Sequence, residues 1–504
     1  MLLIHPPLAK ACEPPAGIAR LAGALRGHNL SCTLLDANLE GLLFLLHSKV
    51  EATDKWSARA GKNVNSNIDA LRSDRLYQNQ SRYERALTDA NKVLQLVSRL
   101  RSVDISFANY QDSTLSPLKS DDLILSATMA QTNIFYPYFS KRIESIVEEK
   151  NPTAIGFSLN YLSQALTTFA MIGFIKKRYP RLTVVLGGGL VTSWLRKVYW
   201  QNPFFGLVDH LVAGPGEDFL LTLLGVSRSK GYQGHDFDDL PLDQYFSPGL
   251  ILPYATATGC YWKKCSFCPE TSEGSPYIPL LPEVVVHEIS TLKNRMGPVL
   301  LHLLDDAISP ALLKKLAAHP PGLKWYGFAR VSALLMDLDF CRQLKASGCV
   351  LLKLGLESGD QAVLDAMNKG IDLAMASRVL ETLKRAGIAT YVYLLFGTPW
   401  ETYTEAGRTL DFVIKRHETV TFLNLAIFNL PVSSPEAASL EVKNFYAGDL
   451  SLYKDFVHPR GWQRKDVRNF LEREFKVQPE IKRILRRDPP YFTSNHAPFF
   501  SGNA

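Results

Sequence analysis

The stretch Cys260-Tyr-Trp-Lys-Lys-Cys265-Ser-Phe-Cys268, which follows the apolar run 252–258, decides the fold. It holds three thiols, with gaps of four and then two residues between them. Four thiolates complete a tetrahedral zinc site or saturate an iron–sulfur cluster, whereas three leave one position open. The other cysteines, at positions 12, 32, 341 and 349, have no ligand-like spacing to this trio. The alternatives are a cluster with one open iron, a partial zinc knuckle and three ordinary buried thiols.

Composition sets wide bounds around this stretch. The length of 504 residues exceeds one typical domain, and the 46% hydrophobic content is enough for sizeable cores. The formal net charge of +7 is mild for this length; it fits an anionic ligand and does not by itself indicate nucleic acid. Seven cysteines, three of them clustered, do not form the pattern of a disulfide framework, which favours a reducing compartment. No early apolar run is long enough for a signal peptide or a spanning helix, so we expect a cytoplasmic protein without a membrane span.

The first part of the chain alternates short apolar runs with helical stretches. The predicted strands are 2–4, 32–35, 154–158, 184–186 and 210–212. Such alternation predicts a doubly wound parallel sheet, and ligands of these sheets bind beyond the carboxyl ends of the strands. Gly187-Gly188-Gly189 and Gly214-Pro-Gly216-Glu217 lie at such ends. Residues from about 40 to 150 are polar with helical periodicity, which predicts an inserted helical subdomain. It would be a cap over the sheet edge, a surface for a partner or a solvated decoration.

From residue 253 to about 434 the pattern changes to regular strand-then-helix units. After the first strand, the predicted strands are 299–304, 325–329, 351–356, 390–396 and 421–428. Polar groups follow most of them, as at the active end of a (β/α) barrel: Asp305-Asp306, Arg330, Glu357-Ser358-Gly359 and Gly397-Thr-Pro399. Tyr391 and Tyr393 alternate on one face of the fifth strand, where they would line the interior.

A strand, a Gly-Cys loop and Phe267 directly before Cys268 resemble the radical S-adenosylmethionine (SAM) superfamily. The usual spacing there is three residues and then two; the first gap here is one residue longer, as in a subset of the family. The resemblance implies that Cys260, Cys265 and Cys268 hold a [4Fe–4S] cluster, and that SAM chelates the fourth iron. It also implies that an electron from an external donor, such as a flavodoxin or ferredoxin, splits SAM into methionine and a 5′-deoxyadenosyl radical. Six strand–helix units fit the partial (β/α)6 barrel of this family.

The same resemblance implies further SAM contacts, and the chemistry of other residues at the strand ends adds candidates. Phe267 would hold the adenine, and Glu357 and Ser358 would hydrogen-bond the ribose or the amino group. Ser358 would equally serve as the N-cap of the next helix. In Gly397-Thr-Pro399-Trp-Glu401, which resembles the fifth-strand motif that lies against the adenine, Gly397 and Pro399 shape the backbone and Glu401 would cap the following helix. Arg330 is a candidate for the SAM carboxylate, because a guanidinium fork suits that group. Asp305 and Asp306 would hold SAM or substrate, and a salt bridge at the barrel rim is an equal alternative for these aspartates and for Arg330.

The N-terminal sheet resembles the cobalamin-binding domain that precedes the barrel in one large branch of the superfamily. The resemblance implies a bound cobalamin. The residues that would contact it are Asn38, Ser158, Gly187, Gly188, Gly216 and Glu217. An Asp-x-His-x-x-Gly motif, which in other cobalamin proteins supplies a histidine to the cobalt, is absent; its nearest analogue is Asp36-Ala-Asn38-Leu-Glu-Gly41, with Asn38 in the place of that histidine.

Together these patterns predict an α/β protein of three domains: a Rossmann-like domain over 1–235, a radical SAM barrel over 236–440 and a small cap over 441–504. The aromatic C-terminal tail would either fold over the barrel mouth and bring His496 to the substrate or pack on the barrel exterior. The favoured function is a cobalamin-dependent C-methyltransferase that acts on an unactivated carbon of a small molecule or peptide. The alternatives are a cobalamin-independent radical SAM enzyme for rearrangement, cyclisation or sulfur insertion, and a non-catalytic SAM or redox sensor.

Overall fold

The protein divides into two compact units in the computed structural model, which describes residues 1–227, 231–444, 447–489 and 496–500. The first unit is Met1–Leu250 with Tyr446–Leu452, and the second is Ile251–Phe445 with Tyr453–Ala504. This division is coarser than the three domains expected from the sequence, whose limits stay predictions.

The first unit is built on a five-stranded parallel sheet. Its strands are β1 (Leu2–His5), β2 (Thr33–Asp36), β3 (Ala154–Ser158), β4 (Thr183–Gly187) and β5 (His210–Leu211). They are arranged in the order β2-β1-β3-β4-β5, and every neighbouring pair is parallel. This is a doubly wound order that reverses between β1 and β3, and such a reversal opens a ligand-binding crevice at the carboxyl edge. The expected sheet is therefore confirmed.

Helices cover the sheet and fill the insertion between β2 and β3. The helix Ala16–Gly27 buries Ile18, Ala22 and Leu25, one apolar stripe of a 3.6-residue period. The other helices of this unit are Ala37–Leu46, Lys55–Leu71, Asp74–Tyr77, Gln80–Ser98, Ser120–Thr128, Tyr136–Lys150, Leu162–Arg178, Gly189–Leu195 and Glu217–Leu223. A short hairpin, Val103–Ile105 with Tyr110–Asp112, also lies in the insertion.

The second unit is built on a six-stranded parallel sheet whose strand order follows the sequence. Its strands are β6 (Ile251–Tyr254), β7 (Leu300–Leu303), β8 (Lys324–Ala329), β9 (Cys349–Glu357), β10 (Ala389–Phe396) and β11 (Phe422–Ile427). The Nζ atom of Lys353 on β9 lies 3.3 Å from Nε2 of His302 on β7, although β8 runs between these strands. Side chains two strands apart meet in this way on the concave face of a strongly curved sheet. The structure therefore has the expected partial (β/α)6 barrel.

The elements around the barrel are mostly short. The helices are Pro269–Ser272, Pro282–Met296, Pro310–Ala318, Leu338–Ala346, Gln361–Ala366, Leu373–Arg385, Tyr403–Lys415, Glu436–Ser439, Arg464–Phe470 and Pro479–Leu485. Short strands pair Ala257–Thr258 with Ile278–Pro279, and a small antiparallel sheet joins Leu430–Pro431, Val442–Asn444 and Tyr453–Phe456. Within the described ranges, no helix combines the length and the apolar run that crossing a bilayer requires.

The C-terminal tail closes the amino-terminal end of the barrel. The short helix Ala497–Phe500 packs against residues at the starts of the strands, among them Ile251, Leu300 and Phe422. The His496 ring lies 4.3 Å from the ring of Phe422 and makes a 3.3 Å contact with Asp488. Both expectations for the tail, over the mouth or on the exterior, are wrong for the described residues. The rings of His496 and Phe500 pack instead against apolar residues near the starts of the strands. Residues 490–495 of the tail lie outside the described ranges.

Candidate functional site

The cysteine loop leaves the barrel through a short strand pair and a forced turn. Gly259 has φ +71°, and a Cβ there would lie 2.5 Å from the Pro276 carbonyl oxygen, so only glycine fits. Within the longer first gap, Lys263 adopts a left-handed φ of 52°. A single left-handed residue accommodates the additional position in a tight turn.

The loop is fixed to the segment Met367–Gly370, which follows β9 and its helix. The Ser266 amide donates to the Met367 carbonyl at 3.0 Å, and the Trp262 indole donates to the Asn368 carbonyl at 3.3 Å. A Cβ on Gly370 would lie 2.3 Å from the Trp262 ring, so the indole packs directly on the glycine backbone. These contacts bring two segments more than 90 residues apart in sequence into one site.

Two cations lie beside the cysteines. Arg330, at the end of β8, has Nη1 3.9 Å from Sγ of Cys265, and its Nη2 donates to the Lys369 carbonyl. Its guanidinium stacks on the Trp262 ring at 3.9 Å from the centroid. The Lys369 ammonium lies 5.3 Å from the Phe267 ring centroid. Positive charge at this place offsets the negative charge that thiolate ligands bring.

Burial raises the pKa values of two of the three thiols. All three are free; Cys265 is buried, and Cys260 and Cys268 are half-buried. Burial raises the pKa of Cys265, while Lys369 and Arg330 act in the opposite direction. Burial also raises the pKa of Cys268 to about 11. Among the described residues, no three His, Cys, Asp or Glu side chains converge on one metal ion. A cubane cluster does not require that convergence, because each thiolate binds a different iron.

Glu357 ends β9 in an unusual conformation. Its φ is +68°, and the pairing of β9 with β10 shifts register between Gly355 and Glu357. Its carboxylate accepts from Lys369 Nζ at 2.7 Å, and both side chains are nearly buried. Left-handed non-glycine residues of this kind are concentrated at functional sites, where the fold over-determines them. Glu357 therefore pairs with Lys369, a contact that the sequence motif did not indicate, and its role toward SAM stays a prediction.

Ser358 occupies a different place from the one expected. It is fully buried, its hydroxyl lies 3.2 Å from the Thr409 hydroxyl, and it accepts from the Asp360 amide at 3.1 Å. The N-cap of the following helix is Asp360, whose side chain accepts from the Val363 amide. Ser358 is thus positioned to join the strand end to a neighbouring helix, and it neither caps the helix nor faces an open site.

The fifth-strand turn is held from within. Gly397 has φ +76°, and its amide donates to the buried Glu401 carboxyl at 2.5 Å. Burial raises the pKa of Glu401 to about 8. The following helix is capped by Thr402 in a capping box with Glu405, so the expected capping role of Glu401 is wrong. Glu401 instead fixes the turn that contains Pro399.

The aspartates after β7 differ in their surroundings. Asp305 is buried and accepts from the Thr256 hydroxyl at 2.5 Å and from the Thr256 amide at 3.3 Å, which ties β7 to the segment before the cysteine loop. Burial, Glu270 and Asp305 raise the pKa of Asp306 to about 6. Neither aspartate makes the rim salt bridge considered above, as far as the described residues extend.

Several polar residues lie on the concave face of the barrel, and the sequence patterns singled out Tyr391 and Tyr393 but not Lys353. Lys353 is buried, and its ammonium lies about 5 Å from the ring centroids of Tyr326 and Phe328. Tyr391 and Tyr393 lie with ring centroids 4.6 Å apart. Their spacing of two along β10 was the only sequence signal for this interior. Lys353 lies within an otherwise apolar strand and gave none.

The carboxyl edge of the first unit is lined by small residues. Ser158 Oγ accepts from Asn160 at 3.1 Å, Gly187 ends β4, and Gly188 follows it. Gly214 has φ +71° and no heavy atom within 4 Å of the place where a side chain would start. Gly216 is the N-cap of the helix Glu217–Leu223. Among these glycines, Gly214 leaves the backbone open, whereas a Cβ on Gly188 would lie 2.4 Å from the Leu159 carbonyl oxygen.

Two of the polar residues predicted at this edge, Asn38 and Glu217, bond to other residues of the protein. Asn38 is 1% exposed, and its side-chain oxygen accepts from the Ala9 amide at 2.8 Å. It is therefore positioned to fix the loop after β1 and not to face a bound cofactor. Glu217 forms an ion pair with Arg20. Asp36 caps the helix that contains Asn38 and accepts from the Tyr245 hydroxyl at 2.7 Å.

Comparison with known proteins finds a family match and several relatives of this chain. Residues 254–413 match the radical SAM superfamily. The chain is 27% identical over 311 residues to an uncharacterized methyltransferase of Pyrococcus horikoshii, covering 54% of this chain and 66% of that protein. It is 25% identical over 268 residues to an anaerobic magnesium-protoporphyrin IX monomethyl ester cyclase of Cereibacter sphaeroides, covering 44% of this chain and 43% of that protein. The chain thus spans less than two thirds of the length of either relative.

One solved structure shares the fold over most of the chain. It is the radical S-adenosylmethionine methyltransferase TsrM from Kitasatospora setae, with cobalamin and a [4Fe-4S] cluster bound. The TM-score is 0.54 at 16% identity, and the match covers 87% of this chain and 77% of that one. At this identity the match establishes the fold.

Proposed function

We propose that this chain, a radical SAM enzyme whose family domain covers residues 254–413, is a cobalamin-dependent C-methyltransferase. The observation that carries the proposal is the convergence of the cysteine loop, Arg330 and the Glu357–Lys369 pair at the carboxyl end of the barrel strands. Active sites of (β/α) barrels lie at that end. Two likenesses support the choice of reaction: the fold shared with TsrM and the sequence similarity to the methyltransferase from Pyrococcus horikoshii.

The chemistry of the donor set fits a [4Fe–4S] cluster. Cys260, Cys265 and Cys268 would hold it, because they are free thiols on one loop with two cations beside them. The rigid attachment of the loop to Met367–Gly370 would keep the three sulfurs in place. Three ligands leave one iron for SAM, whose contacts would come from Glu357, Arg330, Phe267 and the turn with Gly397 and Pro399.

The carboxyl edge of the first unit fits a corrinoid. Ser158, Gly187, Gly188, Gly214 and Gly216 would line it, since they are small residues at the strand ends and Gly214 has open space where a side chain would start. With these groups bound, the cluster and SAM supply a substrate radical, and cobalamin supplies the methyl group that it accepts. The protein's own part is to fix the cysteine loop, to neutralise the thiolates with Arg330 and Lys369, and to hold SAM between β9 and β10.

The test is single-turnover chemistry with anaerobically reconstituted protein, SAM and dithionite. We expect 5′-deoxyadenosine in amounts that depend on Cys265, and cobalamin that takes a labelled methyl group from SAM. A protein that binds the cluster and SAM but forms no 5′-deoxyadenosine would be the sensor considered above. An external flavodoxin or ferredoxin would replace dithionite in the cell, and the substrate would be a small molecule or a peptide.

A second candidate is a radical SAM enzyme that cyclises or rearranges its substrate without cobalamin. The similarity to the ester cyclase of Cereibacter sphaeroides supports cyclisation as the reaction, and it does not bear on cobalamin. The same experiment separates the two, because this enzyme would form 5′-deoxyadenosine and would transfer no methyl group.

A further inference from the structure

A segment near the C-terminus holds the turn at the end of β10. This clamp, His458–Trp462, contacts the backbone of the turn Gly397–Glu401 at two carbonyls. His458 Nε2 lies 2.8 Å from the Thr398 carbonyl oxygen, and Arg460 Nη1 donates to the Trp400 carbonyl at 2.8 Å. The Thr398 carbonyl also closes the turn by accepting from the Glu401 amide at 3.0 Å. The clamp therefore contacts the atom that defines the turn.

The surroundings of His458 fix its tautomer. The backbone amides of Arg460 and Trp462 both donate to Nδ1, each at 3.2 Å. Because an amide N–H can only donate, Nδ1 has no proton and Nε2 carries it. The imidazole is 4% exposed, and burial lowers its pKa, so the ring is neutral at pH 7. Nε2–H is thus a permanent donor to the Thr398 carbonyl.

We infer that His458 is a positioning residue for SAM: its Nε2–H holds the Gly397–Glu401 turn where the turn contacts the adenine. This rests on the proposed function, which assigns Gly397 and Pro399 to SAM. A turn with a left-handed glycine has alternative backbone conformations in which the Thr398 carbonyl rotates. His458 selects one of them through a buried hydrogen bond that water cannot replace.

Substitution of His458 by Gln or by Asn tests the roles of the two ring nitrogens separately. His458→Gln places an N–H near the position of Nε2, so it keeps the donor to Thr398. His458→Asn places an oxygen near Nδ1, so it keeps the acceptor for the clamp amides but does not reach Thr398. A purely structural role would make the two variants alike in their effect on SAM.

The experiment measures 5′-deoxyadenosine formation by the reconstituted holoenzyme with dithionite over a range of SAM concentrations. We expect His458→Asn to raise the KM for SAM about tenfold, the net effect of one hydrogen bond, with kcat within about threefold of wild type. His458→Gln should restore most of the affinity. Iron content should be equal in all variants, because the hydrogen bonds given for His458 go to the Gly397–Glu401 turn and to the clamp itself.

The matched control is His417→Asn. His417 bonds the Ile414 carbonyl at 2.8 Å near the start of β11, at the opposite end of the barrel. It should leave the KM for SAM unchanged. If His458→Asn does not fold, Arg460→Gln removes the other contact to the turn from a half-exposed position and should raise the KM in the same direction.

Equal KM values for His458→Asn and His458→Gln, or a KM for both that matches wild type, would overturn the inference. A fall in kcat alone at unchanged KM would also overturn it. Wild-type holoenzyme that makes no 5′-deoxyadenosine would instead overturn the proposed function, and the inference with it.

Discussion

At the scale of single residues, Glu401 has a carboxyl in an environment that favours its neutral form. It is fully buried, and its Oε2 accepts from the Gly397 amide. Burial raises its pKa from the ordinary 4.5 to about 8, so the folded protein holds a proton there that the unfolded chain releases. Folding stability therefore falls as pH rises from about 4.5 through 8.

This linkage gives the first prediction. Between pH 6 and pH 8, wild-type protein should lose ~2 kcal/mol of unfolding free energy relative to Glu401→Gln, which carries no titrating proton there. Gln keeps the acceptor for the Gly397 amide, so the variant should fold. Urea unfolding of both proteins at the two pH values measures the difference. Parallel pH dependences in the two proteins would show that Glu401 is ionised in the fold.

Some residues of the site could be found from the sequence and others could not. The cysteines, Phe267, Glu357 and Arg330 lie together because each directly follows a strand or belongs to a short motif. Ser358 illustrates the limit: its hydroxyl bonds the Thr409 hydroxyl, 51 residues away, and no local pattern encodes that contact. Asn38 is similar, because the Ala9 amide, 29 residues away, turns it inward.

At the scale of elements, the cysteine loop depends on its attachment to Met367–Gly370. Gly370 and Gly274 both have φ near +65°, but they differ in surroundings: a Cβ on Gly370 would meet Trp262, and a Cβ on Gly274 would meet nothing within 4 Å. Comparing substitutions at these two glycines therefore distinguishes the effect of backbone strain from the effect of displacing the cysteine loop.

The second prediction compares Gly370→Ala with Gly274→Ala. Each should lose about 1 kcal/mol to the left-handed conformation, and Gly370→Ala should lose about 1–3 kcal/mol more because Trp262 must move. Thermal melts of the apoproteins measure the two losses of stability. After reconstitution, Gly370→Ala should hold much less iron per chain than Gly274→Ala. Equal iron in the two variants would mean that the Trp262 contact does not position the loop.

The third prediction concerns the carboxyl edge of the first unit. Gly214 and Gly206 both have positive φ and open space where a side chain would begin, yet only Gly214 lies at the proposed corrinoid edge. Asn tolerates positive φ better than most residues, so both variants to Asn should fold. Gly214→Asn should retain less corrinoid after gel filtration, measured by absorbance, and Gly206→Asn should match wild type. Full retention by Gly214→Asn would place the corrinoid elsewhere.

Strands and helices were predictable where apolar periodicity is regular, as in β6–β11. The C-terminal tail was not, because its location depends on an apolar floor made by residues from several different strands. His496 and Ala497 pack there through contacts of long sequence separation, and the tail's composition is equally compatible with the mouth or the exterior. The interior Lys353 was missed for the same reason.

At the scale of the whole molecule, the two units carry separate parts of the proposed chemistry. The second unit has the cysteine loop and its cations, and the first has the glycine-lined edge. The methyltransferase proposal requires both cofactors in one chain, whereas the cyclase alternative requires only the cluster. The number of clusters and corrinoids bound per chain therefore distinguishes the methyltransferase from the cyclase alternative.

The most direct measurement is the iron and corrinoid content of protein purified and reconstituted without oxygen and with cobalamin supplied. We expect about four irons and one corrinoid per chain, with iron lost in the Cys260, Cys265 and Cys268 variants. Four irons without corrinoid would contradict the methyltransferase proposal and favour the cobalamin-independent enzyme. Zinc in place of iron would contradict the assignment of the cysteine loop itself.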